Sequence, residues 1–339
     1  MKSQLHLLTL ALLTGSLASF AASSAAAQSC DYSLNATYQV TFDAAWSQQN
    51  HPADFPGNPH FSGLIGGTHQ SSHSFWELGA LASPGIESMA ETGSKTSLTS
   101  EVNSAISNGT AEFLLSGGSI GTSPGSVSMT FGVTSDFPAV TLVSMVAPSP
   151  DWFVGVDGLE LFQNGTWQDQ VIVDLAAYDS GTDSGTQYTS ANSDTNPADP
   201  IFDIIGYPFF GVSLGTFTFT KISSEDLALC VDPLVSGQSS TFRIAHGTPQ
   251  ENVVIMWSRS LGSTVASSGS WCVDFGIDVS LGNPLAQSLA LGPFDGSGEF
   301  QVTRQVPPSA LGLSIYLQAA EQNACPDPRM SNIVMQVIQ

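Results

Sequence analysis

Basic residues are nearly missing from this chain. Seven lysines and arginines stand against 29 aspartates and glutamates in 339 residues, a formal net charge of −22. A surface so poor in cations repels phosphate backbones and anionic lipid, which removes nucleic acid and acidic membranes from the set of partners. Charge of either sign is scarce too, at 11% of residues. Aromatic and β-branched residues are too frequent for a disordered acidic tail, and abundant Gly, Ser and Thr suit a rigid all-β extracellular protein. Helical periodicity is almost absent, and beyond the amino terminus no apolar run approaches the ~20 residues that cross a bilayer. Cysteine occurs only at Cys30, Cys230, Cys272 and Cys325. None of these forms a Cys-x-x-Cys or Cys-x-x-His pair, which argues against zinc.

The first residues read Met1-Lys2, then a mostly apolar run from Leu5 to Ala18, then small residues ending at Ala27. This is a cleavable secretory signal over residues 1–27, and it sends the chain into an oxidising compartment. Four cysteines there allow two disulfides in three pairings. Their positions favour Cys30 with Cys230 and Cys272 with Cys325, one bridge per domain. The remaining ~310 residues suffice for two cores. The seam falls at Asp232-Pro233-Leu234-Val235-Ser236-Gly237-Gln238, giving domains over 28–231 and 232–339. Acidity is concentrated in the first, with 21 acidic and 2 basic residues against 8 and 4 in the rest.

Period-two apolar patterns predict strands at Tyr38, Val40 and Phe42; at Val127, Met129, Phe131 and Val133; at Phe217 and Phe219; and at Leu311, Leu313, Ile315 and Leu317. Clusters of Gly, Pro, Asn and Ser between them supply turns. Leu98, Val102 and Ile106 are spaced by four and predict one short amphipathic helix from about Lys95. The fold class is therefore all-β: an antiparallel sandwich with a short helix as decoration, followed by a second small β domain. In that second domain strands are expected near Thr241–Ala245, Val253–Ser258, Val273–Val279 and Ile333–Ile338. Residues Asp194–Pro200 read as a long loop of the kind that carries function.

Two acidic segments lie about thirty residues apart. Asp151 follows Pro150, and Asp179 and Asp183 flank Ser180-Gly181-Thr182. Calcium takes six to eight oxygen ligands from irregular loops, so two such loops at one sandwich edge could share a cation. On spacing alone the pattern does not match an EF-hand, and Asp with Gly also fills solvated turns with no metal at all.

The ordered run Trp46-Ser47, His60-Phe61-Ser62, Leu64-Ile65-Gly66, Ala82-Ser83-Pro84-Gly85, Ala90-Glu91-Thr92-Gly93, Ser149-Pro150-Asp151-Trp152-Phe153-Val154-Gly155-Val156-Asp157, Trp167, and Ala177-Tyr178-Asp179-Ser180-Gly181-Thr182-Asp183-Ser184-Gly185 resembles the spondin amino-terminal domain family. The likeness extends over about Tyr38–Ile222. It implies a sandwich similar to calcium-dependent lipid-binding folds, with calcium as cofactor. Its ligands would be Asp151 and Asp179, with Asp183 as their neighbour. It also implies a secreted, non-enzymatic adhesion or matrix-association protein whose partner is an extracellular protein or glycan. Two departures stand out. A glutamate of the family's metal site falls, by ungapped counting back from Asp151, at Gly132, with Asp136 as a substitute, and a family cysteine is replaced by Phe162.

Other constellations are weaker. His69 and His73 are four apart but lie in a Gly- and Ser-rich stretch, which favours structural hydrogen bonding over zinc. Gly-x-Ser-x-Gly occurs around Ser119 and Ser123, and Ser184 follows Asp183, which admits a serine hydrolase as the rival reading. No strand, sharp turn and helix frame those serines as an elbow requires. A purely structural sandwich without metal is the third reading. Trp152, Phe153 and Trp167 are read as core. Sequons stand at Asn35, Asn108 and Asn164.

Overall fold

Residues 30, 32–268, 271–279, 288–322 and 329–339 are described by a computed structural model. In chain order the first unit contains β1 (Asn35–Ala44), β2 (His60–Phe61), β3 (Ile65–His69), α1 (Pro84–Thr92), α2 (Thr96–Ser107), β4 (Ala111–Ser116), β5 (Gly125–Thr134), β6 (Ala139–Ala147), β7 (Trp152–Glu160), β8 (Phe162–Gln163), β9 (Thr166–Trp167), β10 (Gln170–Asp174), β11 (Tyr178–Asp179), β12 (Phe202–Asp203) and β13 (Gly215–Ser224). One sheet has the order β10-β13-β1-β5, and the facing sheet β12-β11-β7-β6-β3-β4 with β2 on β6. Among the described residues every strand pairing within them is antiparallel.

Alternation explains the first layer. Tyr38, Val40 and Phe42 of β1 are fully buried, and Phe217 and Phe219 of β13 face the same interior. They meet Val140, Leu142 and Val146 of β6 and Trp152 and Val154 of β7 in one core. Strand β6 is buried at every position, because its other face, through Val143, Met145 and Ala147, packs on Ile86 and Met89 of α1 and Leu98 and Val102 of α2. A strand covered on both faces loses alternation and reads as a continuous apolar run. The helices are thus a third layer with a core of their own, not decoration.

The expected helix is α2, with Leu98, Val102 and Ala105 buried. Helix α1 is an addition to the sequence reading, and its signals are local. Ser83 is the N-cap and accepts from the Ile86 N–H at 3.2 Å, Pro84 opens the first turn, and Gly93 closes the last at φ 69°. Those are the preferred residues at each position.

The second unit contains β14 (Ala228–Val231), β15 (Ser239–Ala245), β16 (Asn252–Ser258), β17 (Leu261–Ser268), β18 (Trp271–Ile277), β19 (Ser288–Pro293), β20 (Phe300–Gln305), β21 (Ser314–Glu321) and β22 (Val334–Val337). Sheets β14-β15-β20 and β19-β16-β21-β22 enclose a separate core that includes Phe242, Ile255, Leu317 and Ile338. Leu311 and Leu313 precede β21 and Leu311 is exposed, so that strand starts at Ser314, later than the alternation suggested.

The expected Cys30–Cys230 bridge is present. Strand β14, which carries Cys230, pairs with β15. Cys30 is bonded to Cys230 with Cα atoms 5.6 Å apart, and since Cys230 lies in β14 this bridge ties the start of the first unit to the second. The proposed Cys272–Cys325 pairing lies outside the described residues. Among the described residues no helix is long and apolar enough to cross a membrane.

Candidate metal centre

The repeated Asp-Ser-Gly of residues 179–185 folds as two successive side-chain turns. The Asp179 Oδ1 accepts from the Gly181 N–H at 2.8 Å, and the Asp183 Oδ1 accepts from the Gly185 N–H at 2.7 Å. Asp is favoured where its carboxylate can close a turn on a backbone N–H two residues on. Gly181 must be glycine: its φ is +75°, and a Cβ there would lie 2.0 Å from the Asp199 carbonyl oxygen.

Asp151 approaches this loop from the start of β7. Trp152 and Asp179 are register partners, so the two carboxylates come from neighbouring strand ends. Asp151 is fully buried. Its Oδ2 accepts from the Ser180 hydroxyl at 3.0 Å, the Thr182 N–H at 2.8 Å and the Asp183 N–H at 3.0 Å. Its Oδ1 is buried with no hydrogen-bond donor. Asp179 completes its own set with the Trp152 indole N–H at 3.1 Å on Oδ2.

Burial, followed by the charge of Asp151, pushes the Asp179 carboxyl up to about 7 from 3.8. Two buried carboxylates in contact cannot both stay charged without a proton or a cation. Glu91, in the last turn of α1, adds a third acid. Its carboxyl is also raised, first by burial and further by Glu87, Asp151 and Asp183, while a hydrogen bond from Thr182 opposes the rise. Glu91 escapes a spacing argument because it arrives from a helix sixty residues upstream of Asp151. Its one signal in the sequence is the Ala-Glu-Thr-Gly segment.

The structure therefore brings Asp151 and Asp179 together, with Glu91 beside Thr182. Asp183 is adjacent, but its oxygens are held by its own loop through the Gly185 and Ser193 N–H groups, the latter at 2.8 Å. Gly132 is in register with Thr37, seven residues along β1 from Ala44, or roughly 20 Å at ~3.3 Å per residue. Asp151 lies at the Ala44 end, where Trp46 packs on Tyr188 and Tyr188 on Trp152. Neither Gly132 nor Asp136 in the following turn reaches the pair. Among the described residues no three histidine, cysteine, aspartate or glutamate side chains form a tight preformed cage. The donor set suits a hard, oxygen-seeking cation better than zinc, because it consists of carboxylates, hydroxyls and backbone.

The other candidates resolve into packing. His69 is fully buried, with Nδ1 against the Gln70 carbonyl at 2.9 Å and Nε2 against the Thr141 hydroxyl at 2.8 Å. His73 stacks edge-on against Phe75 and His69. The Ser123 hydroxyl is buried and donates to the Trp46 carbonyl at 2.8 Å, and Ser184 bonds Ser193. Among the described residues no hydrogen bond joins Ser119, Ser123 or Ser184 to a histidine. Trp152, Phe153 and Trp167 are core residues.

This part of the chain is similar in sequence to known proteins. The Spondin_N family matches residues 36–208, which runs from β1 through the acidic loop. Spondin-2 of Rattus norvegicus is 34% identical over 173 residues, covering 50% of this chain and 52% of that protein. Spondin-2 of Homo sapiens is 34% identical over 179 residues, covering 52% and 54%. Spondin-1 of Rattus norvegicus is 31% identical over 245 residues, covering 66% of this chain and 30% of that protein. The chain spans about half the length of the Spondin-2 relatives and under a third of Spondin-1. With half of its residues matched, the part that holds Asp151 and Asp179 included, the chain belongs to the spondin amino-terminal domain family.

Proposed function

We propose that this is a secreted calcium-binding protein of adhesion or extracellular surface and matrix association, with no chemical step of its own. The observation that carries the metal reading is the Asp151 Oδ1, buried without a donor and set against a second carboxylate. Leaving such a group unmatched costs about 1–3 kcal/mol, and more for a charged one. Asp151, Asp179 and Glu91 would hold the ion, with oxygens of the 180–182 loop completing its shell. Calcium supplies positive charge that lets these acids ionise together and fixes the loop between them.

The adhesion reading draws on the surface next to that loop. Phe202 pairs with Asp179 across β11 and β12 and is exposed, as are Leu78, Leu81, Ile205, Tyr207 and Phe210. Leu81 bridges Pro200, so this apolar edge borders the acidic turns. Exposed apolar groups gathered in one region mark contact surfaces. An extracellular protein or glycan is the class of ligand proposed for it. The reading as a metal-free structural sandwich draws on the turn roles of Asp179 and Asp183.

Thermal unfolding of the mature chain in chelator and in millimolar calcium separates the two. The expected result is a higher Tm in calcium, by several degrees if calcium exceeds its Kd about a hundredfold, and no rise in Asp151→Asn. Asn keeps the acceptor for the Thr182 and Asp183 N–H groups and removes the charge. An unmoved wild-type Tm would rule out the metal and leave the structural reading.

A further inference from the structure

The second sandwich has a cavity that the acidic site does not use. Between the ends of its two sheets lies a cleft of about 310 Å³, walled by Phe242, Trp257, Val306, Leu313 and Ile338 among other apolar side chains. Among the described residues Arg304 is the only charged one that lines it. Its guanidinium is fixed by two backbone acceptors, Nε donating to the Leu289 carbonyl and Nη1 to the Thr303 carbonyl, each at 3.1 Å. Among the described residues Arg304 has no acidic partner, although the chain carries 29 acidic residues, whereas Lys221, Arg243 and Arg329 each have one.

We infer that this cleft binds an aliphatic carboxylic acid, with the tail in the apolar cavity and the carboxylate on the free edge of Arg304. The volume sits at the small end of ligand pockets, and at ~30 Å³ per water-sized group it takes a chain of roughly ten heavy atoms. Apolar walls reward a tail with no polar groups, since any such group would lose its water without finding a partner. A guanidinium pre-positioned by backbone carbonyls keeps its remaining N–H groups for a planar anion, the geometry arginine matches best. An acidic protein repels anions at long range, so recognition of one must rest on this local cation and on the tail together.

The test is calorimetric titration of the full mature chain with decanoate below its micellar concentration, with decanol and decyltrimethylammonium as parallel ligands. Saturable one-to-one binding of decanoate, with a change in Trp257 emission, is expected. Arg304→Gln should weaken decanoate at least tenfold and leave decanol within about twofold. Ala310→Trp, which fills the cleft, should abolish both while Tm is retained. Absence of saturable decanoate binding, equal affinity for the ammonium ligand, or undiminished binding in Arg304→Gln would each overturn the assignment. Because Arg304 is exposed and pairs with no acid, its replacement does not threaten folding, so the test holds even if Ala310→Trp fails to fold.

Discussion

Asp179 carries a pH dependence that can be worked out from its surroundings. Its carboxyl is raised to about 7 by burial and by Asp151, so the folded state holds a proton that the unfolded chain releases near 3.8. Without a cation, stability from this group is full below about pH 4 and is lost as pH climbs to about 7, by up to ~1.4 kcal/mol per pH unit. Calcium bound as proposed would compete with that proton. Chelated protein should therefore lose Tm between pH 4 and 7, and the calcium-induced rise in Tm should be larger at pH 8 than at pH 5. Asp179→Asn should flatten the chelated profile. An unchanged slope in that variant would assign the pH dependence elsewhere. The same residue illustrates what a sequence hides. Asp-Ser-Gly repeated at four-residue spacing is legible as turn chemistry, and it does fold as turns. That one of those turns abuts a buried second carboxylate depends on the pairing of β7 with β11, which no local pattern encodes.

Helix α1 links local capping to the site. The Ser83 hydroxyl accepts from the Ile86 N–H and donates to Glu101 of α2 at 2.7 Å, while Glu101 also takes the Gly85 N–H at 2.6 Å. One acid thus holds the start of α1 against α2, and the far end of α1 presents Glu91 to Thr182. Ser83→Ala should cost about 1 kcal/mol, seen as a Tm lower by about 2–4 °C. If Glu91 helps hold calcium, the variant should also show a smaller calcium-induced rise. An unchanged rise would make α1 a structural cover only. Strands β1, β5 and β13 were legible in the sequence because one face of their sheet is solvated and alternation survives. Strand β6 was not, since the helices bury its second face. Helix α1 was missed because its nine residues carry little periodicity, although Ser83, Pro84 and Gly93 mark both ends.

At the scale of the molecule, composition gave the all-β class, and the asymmetry of charge pointed to the first unit as the acidic one. Cys230 and Asp232-Pro233 resemble a domain end in the sequence, and the pairing of β14 with β15, which puts Leu229 and Val231 in the second core, has no local signal there. Cys30–Cys230 closes a loop with a sequence separation of 200. Opening a loop of that size releases unfolded-chain entropy, so a Cys30→Ala, Cys230→Ala double variant should lose about 2–5 kcal/mol in denaturant unfolding. A midpoint within error of wild type would show that contacts between the units alone hold the amino terminus in place.

That bridge also governs how the molecule responds to being pulled. Tension applied between residue 30 and the carboxyl terminus passes straight through the sulfur–sulfur link into β14 and the second sandwich. Everything from β1 to β13, the acidic turns and the apolar edge included, hangs on a covalent side loop outside the load path. The proposed contact surface would keep its shape under strain while the second unit carries the force.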